Sequence, residues 1–228
     1  MDQRIVLSDG SQLRLKRSSR ARRMTLRVPR DGSEPVLTLP VHVPLHEGRD
    51  FAESRQGWLH QAALRVPVRQ PVVAGARFPV EGRALVITPA AIRQVQVQDD
   101  ALLVPQNRPT GVVLAAWLRQ VALARLRPAC DSFSAALGRP YRAIALRDTR
   151  SRWGSCTHDG RLMFSWRLAM APAPVLTYVA AHEVAHLAHM DHSARFWAQV
   201  QDLLPDHAPH RAWLRARGGD LMLWQFHD

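Results

Sequence analysis

The sequence predicts an α+β protein: a β-hairpin-rich N-terminal region carrying one helix, followed by a helix-dominated domain with a small antiparallel sheet. Three observations predict it. Up to about Val104 the apolar residues alternate with period two and are punctuated by Asp-Gly or Asp-Asp pairs, which is the hairpin signal. A breaker stretch, Pro105 to Thr110, follows. Beyond it the apolar residues recur at three- and four-residue spacing, the helical signal. The change of period suggests a β-rich region over 1–107 and a second domain over 108–228. With 228 residues, 46% of them apolar and 22% charged, the chain has material for one large or two small cores.

Taken in order, Ile5-Val6-Leu7 before Asp9-Gly10 reads as the first strand and its turn. Met24 to Val28 before Asp31-Gly32, with Val36 to Leu39 after it, reads as a second hairpin. A helix from Arg49 to Arg65 interrupts the strands, with Phe51, Trp58, Leu59 and Ala62 on one stripe. Strands resume at Ala84 to Ile87, at Val95 to Gln98 and, after the Asp99-Asp100 turn, at Leu102 to Val104. Leu114, Trp117, Leu118 and Val121 then mark a helix that Pro128 is expected to end or kink. Ala143 to Arg147 reads as a strand, and Ser151 to Cys156 with Arg161 to Ser165 as a hairpin around His158-Asp159-Gly160. Pro172 and Pro174 introduce a long apolar helix from Val175 to about Met190. Ser193 suits the N-cap of the next helix, which ends near Leu204-Pro205, and a last helix covers His207 to Arg217. No internal repeat or low-complexity segment is visible.

Composition excludes several classes of function. No run approaches the roughly 18 to 20 apolar residues of a membrane span, and the start Met1-Asp2-Gln3-Arg4 lacks a secretory pattern, so the chain reads as cytoplasmic. Two cysteines, Cys130 and Cys156, are too few for a disulfide framework or a cysteine-based zinc site. Any metal must therefore use histidine or carboxylate. The 31 basic against 19 acidic residues give a formal charge of +12, which favours anionic partners without bearing on fold. Both parts share it, with 16 basic and 10 acidic residues before the break and 15 and 9 after. The densest cluster is Arg14, Lys16, Arg17, Arg20, Arg22, Arg23, Arg27 and Arg30. It reads either as a charged strand edge that resists aggregation or as a patch for phosphate or nucleic acid.

Six of the eleven histidines lie between residues 182 and 210. His182 and His186 are four apart on a predicted helix, which puts both imidazoles on one face, spaced to bind one ion. Glu183 sits about 100° round that helix, where it reaches a water rather than the ligand position. This is the H-E-x-x-H arrangement of a zinc site with a glutamate general base. The flanking residues Val179, Ala180, Ala181, Val184, Ala185 and Leu187 are apolar, and burying two histidines and a carboxylate is costly unless they pair or bind metal. For the third ligand a straight helix carries His189 about 10 Å along the axis from His182, whereas His192 lies past the helix end and can turn back. His192 is favoured. His189 is then an oxyanion donor, an outer partner of the ligands or a wall of the pocket.

The run Ser151-Arg152-Trp153-Gly154-Ser155-Cys156, with Gly160, Trp166-Arg167-Leu168, Tyr178-Val179, the His182 to Leu187 motif, Asp191-His192-Ser193 and Phe196-Trp197, resembles the YgjP-like metallopeptidase family, a zincin group related to SprT-like and WLM proteins. Arg20 to Val28, Trp58 and Gly75 to Ile87 are similar to that family's N-terminal β region. The resemblance implies a zincin-like fold for the second domain, a Zn2+ cofactor held by His182, His186 and His192, and Glu183 as the catalytic residue. It also implies that the strand at Trp153 to Cys156 lies above the site, where an extended substrate could pair. Asp191 and Val184 stand where the family often has Asn and Leu, and neither touches the ligand set.

On this reading the protein is a zinc peptidase cleaving peptide or protein substrates. Arg152, Ser155, Tyr178 and His189 are the further substrate-binding candidates, with Arg152, Tyr178 and His189 as possible oxyanion donors. Cys156 is either a thiolate that blocks the open metal position or a small apolar filler. Asp191, Asp202 and Asp206 are available as partners of the metal-bound imidazoles. The tryptophans at 153, 166, 197 and 213 read as core packing. A zinc-dependent nucleotide hydrolase using its arginines for phosphate, and a nucleic-acid-associated protein using Arg14 to Arg30, are the alternatives.

Overall fold

Asp9-Gly10 turns the chain as its type demands: β1 (Gln3–Val6) pairs antiparallel with β2 (Gln12–Ser18), and Gly10 takes a φ of 84°. The computed structural model describes residues 3–29, 33–64, 69–149 and 151–226. The Asp31-Gly32 turn and residues Arg30 and Arg65 of the predicted elements lie outside these. β3 (Thr25–Arg27) runs antiparallel to β4 (Val36–Pro40), and β4 pairs parallel with β2, so the sheet order is β1-β2-β4-β3. Alternation does its work here. Leu13, Leu15, Leu37 and Leu39 point to one face and form a small core with Ile5, Leu7, Ala52 and Leu59. Arg4, Arg14, Lys16 and Arg27 are exposed. Arg14 and Lys16 of the basic cluster thus lie on the solvent face of the interior strand β2, whereas Arg27 lies on the edge strand β3 and Arg20, Arg22 and Arg23 lie between the strands.

The single helix expected over 49–65 is two, α1 (Leu45–Glu53) and α2 (Gln56–Leu64). The chain breaks at Ser54-Arg55, where the Ser54 hydroxyl donates to the Phe51 carbonyl. That break shifts the helical phase, leaving Trp58 49% exposed while Leu59 is buried. Gly48 lets α1 lie on the sheet, since a Cβ there would sit 2.6 Å from the Leu39 side chain.

These elements make one compact unit, Met1–Arg69, and Gln70–Asp228 makes the other. The second unit opens with β5 (Gln70–Pro71) and two hairpins. β6 (Arg77–Val80) pairs antiparallel with β7 (Arg83–Ala90), β8 (Gln96–Gln98) pairs antiparallel with β9 (Ala101–Pro105), and β7 pairs parallel with β9. The order β6-β7-β9-β8 repeats the first sheet strand for strand. A topological repeat is therefore present where the sequence displayed none. Its surviving trace is a pair of prolines: β4 and β9 end in Pro40 and Pro105, and Pro44 and Pro109 occupy the N-caps of the helices that follow.

The division between units falls between Arg69 and Gln70 and not at the change of period near 107. Phe78, Val80, Leu85, Ile87, Leu102 and Val104 share one core with Leu114, Leu118, Ala122 and Leu126 of α3 (Thr110–Leu137). α3 runs through Pro128 instead of ending there. Its buried stripe continues past the proline at Cys130 and Ser134, so packing outweighs the missing hydrogen bond. Gly138, at a φ of 68°, terminates it.

β10 (Ala143–Arg147) pairs parallel with β12 (Arg161–Ser165), and β11 (Gly154–Cys156) pairs antiparallel with β12. The small sheet is thus mixed, correcting the antiparallel expectation, because the connection from β10 lets β12 return in the same direction. A short 3₁₀ turn, Trp166–Met170, leads to α4 (Ala173–Ala185), α5 (Ala194–Leu203), α6 (His207–Leu221, longer than predicted) and β13 (Trp224–Gln225), which pairs parallel with β5. Arg167 ties this end down: its guanidinium donates to both Asp148 carboxylate oxygens and to the Leu221 and Trp224 carbonyls. Among the described residues no helix is long and apolar enough to cross a membrane.

Candidate metal centre

α4 is apolar on nearly every side because it is buried: Val175, Leu176, Val179, Ala180, Ala181, Val184 and Ala185 are all core residues. His182 and His186 interrupt that surface one turn apart. The helix stops at Ala185, short of the expected Met190. The Leu187 and Ala188 amides close its end onto the Val184 and Ala185 carbonyls. The chain then turns, and the Ser193 hydroxyl accepts from the Phe196 amide as the N-cap of α5. That turn carries His192 back over α4.

The result is a cluster in which one ring nitrogen from each of His182, His186 and His192 lies within 4.8 Å of the others. The Nε2 atoms of His182 and His192 are 3.2 Å apart. Two nitrogens at a tetrahedral ion with bonds of about 2.0–2.1 Å stand roughly 3.3–3.4 Å apart, so the His182–His192 pair is spaced for one small divalent cation, with the His186 nitrogen within 4.8 Å of both. The protonation states fit as well. The His186 Nδ1–H donates to the His189 carbonyl at 2.8 Å, which leaves Nε2 with its lone pair. Burial, then the neighbouring imidazoles, hold His182 down to about 3, and burial also holds His186 below its ordinary value. Both rings are held toward the neutral form, the form in which an imidazole can bind a metal. Phe196 packs against all three rings, with centroids 4.4 to 4.9 Å away.

Glu183, next to His182 on α4, is 4% exposed and lies against Gly154 of β11. Burial pushes its carboxyl up to about 8, against the pull of the Arg152 charge. β11 lies directly on it: a Cβ at Gly154 would meet the Glu183 Oε1 at 2.4 Å, so glycine is required there. Cys156, on the same strand, stays a thiol, pushed up to about 11 by burial first and then by Glu183 and Asp159. Its sulfur bonds the Thr157 carbonyl and stands outside the histidine cluster.

Beside the cluster opens a cleft of about 450 Å³ lined by Trp153, Tyr178, Trp197, Leu214, Arg211 and Arg215 together with His182 and His192. Of the predicted site residues, Tyr178 lines this cleft and stacks on the buried His207. Arg152 is exposed and acts on Glu183 through its charge. Ser155 pairs with Met163 within the sheet and is absent from the cleft wall. The His189 ring lines a different cleft, with Asp191 and Ser193, and only its carbonyl serves the centre. None of the three aspartates suggested as partners hydrogen-bonds a ligand imidazole among the described residues. The His186 partner is a backbone carbonyl, and the buried His182 Nδ1 has no hydrogen-bond partner among the described residues. Sequence reasoning missed Phe196, Trp197, Arg211, Leu214 and Arg215 as site residues. The spacing of Arg211 and Arg215, four apart on a helix, was the available signal.

No curated protein matches the chain. Among solved structures it is similar to the crystal structure of the metallopeptidase zymogen of Pyrococcus abyssi abylysin, at 18% identity and a TM-score of 0.36, over 41% of this chain and 92% of that one. The family model described as YgjP-like, metallopeptidase domain, matches residues 22–217, and the chain belongs to that metallopeptidase family.

Proposed function

We propose that the protein is a zinc peptidase that hydrolyses peptide bonds, with His182, His186 and His192 as the zinc ligands and Glu183 as general base. The observation that carries this reading is the convergence of three imidazoles, from His182, His186 and His192, next to the buried Glu183 carboxyl. When bound, zinc supplies Lewis acidity toward water and the scissile carbonyl. The chain's own groups do the rest. Glu183 takes a proton from the attacking water and returns it to the leaving amine. Gly154 keeps the carboxylate oxygens reachable by having no side chain. The His189 carbonyl orients His186, and Phe196 fixes the planes of all three rings. Tyr178, in the cleft wall, supplies a hydroxyl that can donate to a developing oxyanion.

The test is digestion of a mixed peptide library by zinc-loaded protein beside Glu183→Gln. Cleavage is expected in the wild type, with a loss of about 10²- to 10⁴-fold in the variant while zinc content stays equal. A zinc-loaded wild type that cleaves no peptide, or a fully active Glu183→Gln, contradicts the proposal.

A further inference from the structure

The cleft next to the histidines has a chemical bias that zinc and Glu183 do not use. α6 sends Arg211 and Arg215, one turn apart, into the same wall as His182 and His192. The remaining lining residues, Trp153, Tyr178, Trp197 and Leu214, are aromatic or aliphatic. The Arg211 guanidinium lies over the Trp197 ring at 3.9 Å, and that ring is 5.7 Å from His182 and 6.1 Å from His192. One aromatic ring therefore separates a fixed cation from the metal ligands. Nearby acids are engaged elsewhere: Asp206 pairs with His210, and Asp220 with Arg217. Among the described residues neither Arg211 nor Arg215 forms an ion pair.

Two cations beside a centre that holds a third repel one another unless an anion sits between them. An aromatic ring under a guanidinium leaves its edge free, and that edge donates two parallel hydrogen bonds to a carboxylate. We infer that Arg211 and Arg215 form a carboxylate-binding subsite that selects peptides with an anionic group close to the scissile bond. The inference rests on the peptidase reading. The carboxylate is either an acidic side chain or the C-terminus of the substrate, two sources of one chemistry.

The experiment uses zinc-loaded Glu183→Gln protein and three matched hexapeptides: neutral with an amidated end, the same with one internal glutamate, and neutral with a free C-terminal carboxylate. Binding is read from tryptophan fluorescence, since Trp153 and Trp197 line the cleft. One or both carboxylate peptides are expected to bind about tenfold or more tightly than the amide. That preference should disappear in Arg211→Gln and Arg215→Gln, and Arg211→Lys should restore it only in part. Arg215→Gln, at an exposed position, guards against misfolding, and unchanged zinc content verifies each variant. Preference for internal glutamate assigns a side-chain pocket, and preference for the free end assigns a terminus pocket. Equal binding of all three peptides overturns the subsite. If wild-type enzyme nevertheless cleaves them, the peptidase reading stands alone. If wild-type enzyme cleaves none while the arginine-dependent preference persists, the subsite stands and the peptidase reading falls.

Discussion

The two four-stranded sheets have the same strand order and the same central parallel pair, yet they are used differently. In the first, β4 lays Leu37 and Leu39 into a small core closed by two short helices, and the other face carries Arg4, Arg14, Lys16 and Arg27. In the second, β9 lays Leu102 and Val104 into a core that continues through α3 to α4, the helix that carries His182 and is capped by His186. The two cores share no residue. One topology thus serves once as a small charged platform and once as the foundation of a metal centre. Position within the repeat decides burial, and the element packed on it decides use.

The comparison breaks hardest at two glycines. Each lies in the first turn of the helix after its sheet, but a Cβ at Gly111 would meet the rigid Phe226 carbonyl oxygen at 2.2 Å, whereas one at Gly48 would meet a movable Leu39 methyl at 2.6 Å. Gly111→Ala should be severely destabilising by chemical denaturation and Gly48→Ala clearly less so. Equal losses would mean the two helices are seated alike.

Next come Arg167→Met and the paired core substitutions. Arg167→Met leaves Asp148 and two carbonyls without their donor and should cost about 3–5 kcal/mol. Leu37→Ala and Leu102→Ala occupy matching, fully buried positions and should each cost about 3–5 kcal/mol in their own unit. Zinc content should fall only for Leu102→Ala. Loss of zinc in Leu37→Ala would show that the two cores are not independent.

A third effect separates the metal centre from the charged platform by pH. In metal-free protein His182 titrates at about 3 when folded against 6.5 when unfolded, so stability is lost as pH falls below 6.5. Glu183 titrates at about 8 against 4.5, so its contribution is present below 4.5 and lost as pH rises through 8. The two slopes oppose one another between 4.5 and 6.5. Urea denaturation of chelator-treated protein should therefore give maximal stability in that window and a decline on both sides, and a monotonic rise to alkaline pH would contradict it. The smallest effect is at the platform: Lys16→Glu, on the open face of the first sheet, should change stability by no more than about 0.5 kcal/mol.

What could be read in the sequence follows from the range of the forces involved. His182, Glu183 and His186 were legible because helical spacing alone puts them together, and Gly10 and Gly160 because a turn with positive φ calls for glycine. His192 required only that a helix end. The continuation through Pro128 was illegible because tertiary packing overrode local propensity, and the break at Ser54 because a single side-chain bond to the Phe51 carbonyl leaves no mark on the apolar period. The unit division was misplaced because a switch from strand to helix is a change of period and not of core. Arg211 and Arg215 lie more than twenty residues from the histidine motif, and only the folding of α6 onto α4 brings them to the cleft. The repeat was hidden because strand pairing preserves burial pattern while tolerating almost any side chain that fits it.

The most direct measurement is metal content by mass spectrometry on purified wild type, Glu183→Gln and single alanine variants of the histidines. One equivalent of zinc in wild type and Glu183→Gln, with loss in His182→Ala, His186→Ala and His192→Ala, is the expected result. Full retention in His192→Ala with loss in His189→Ala would contradict it.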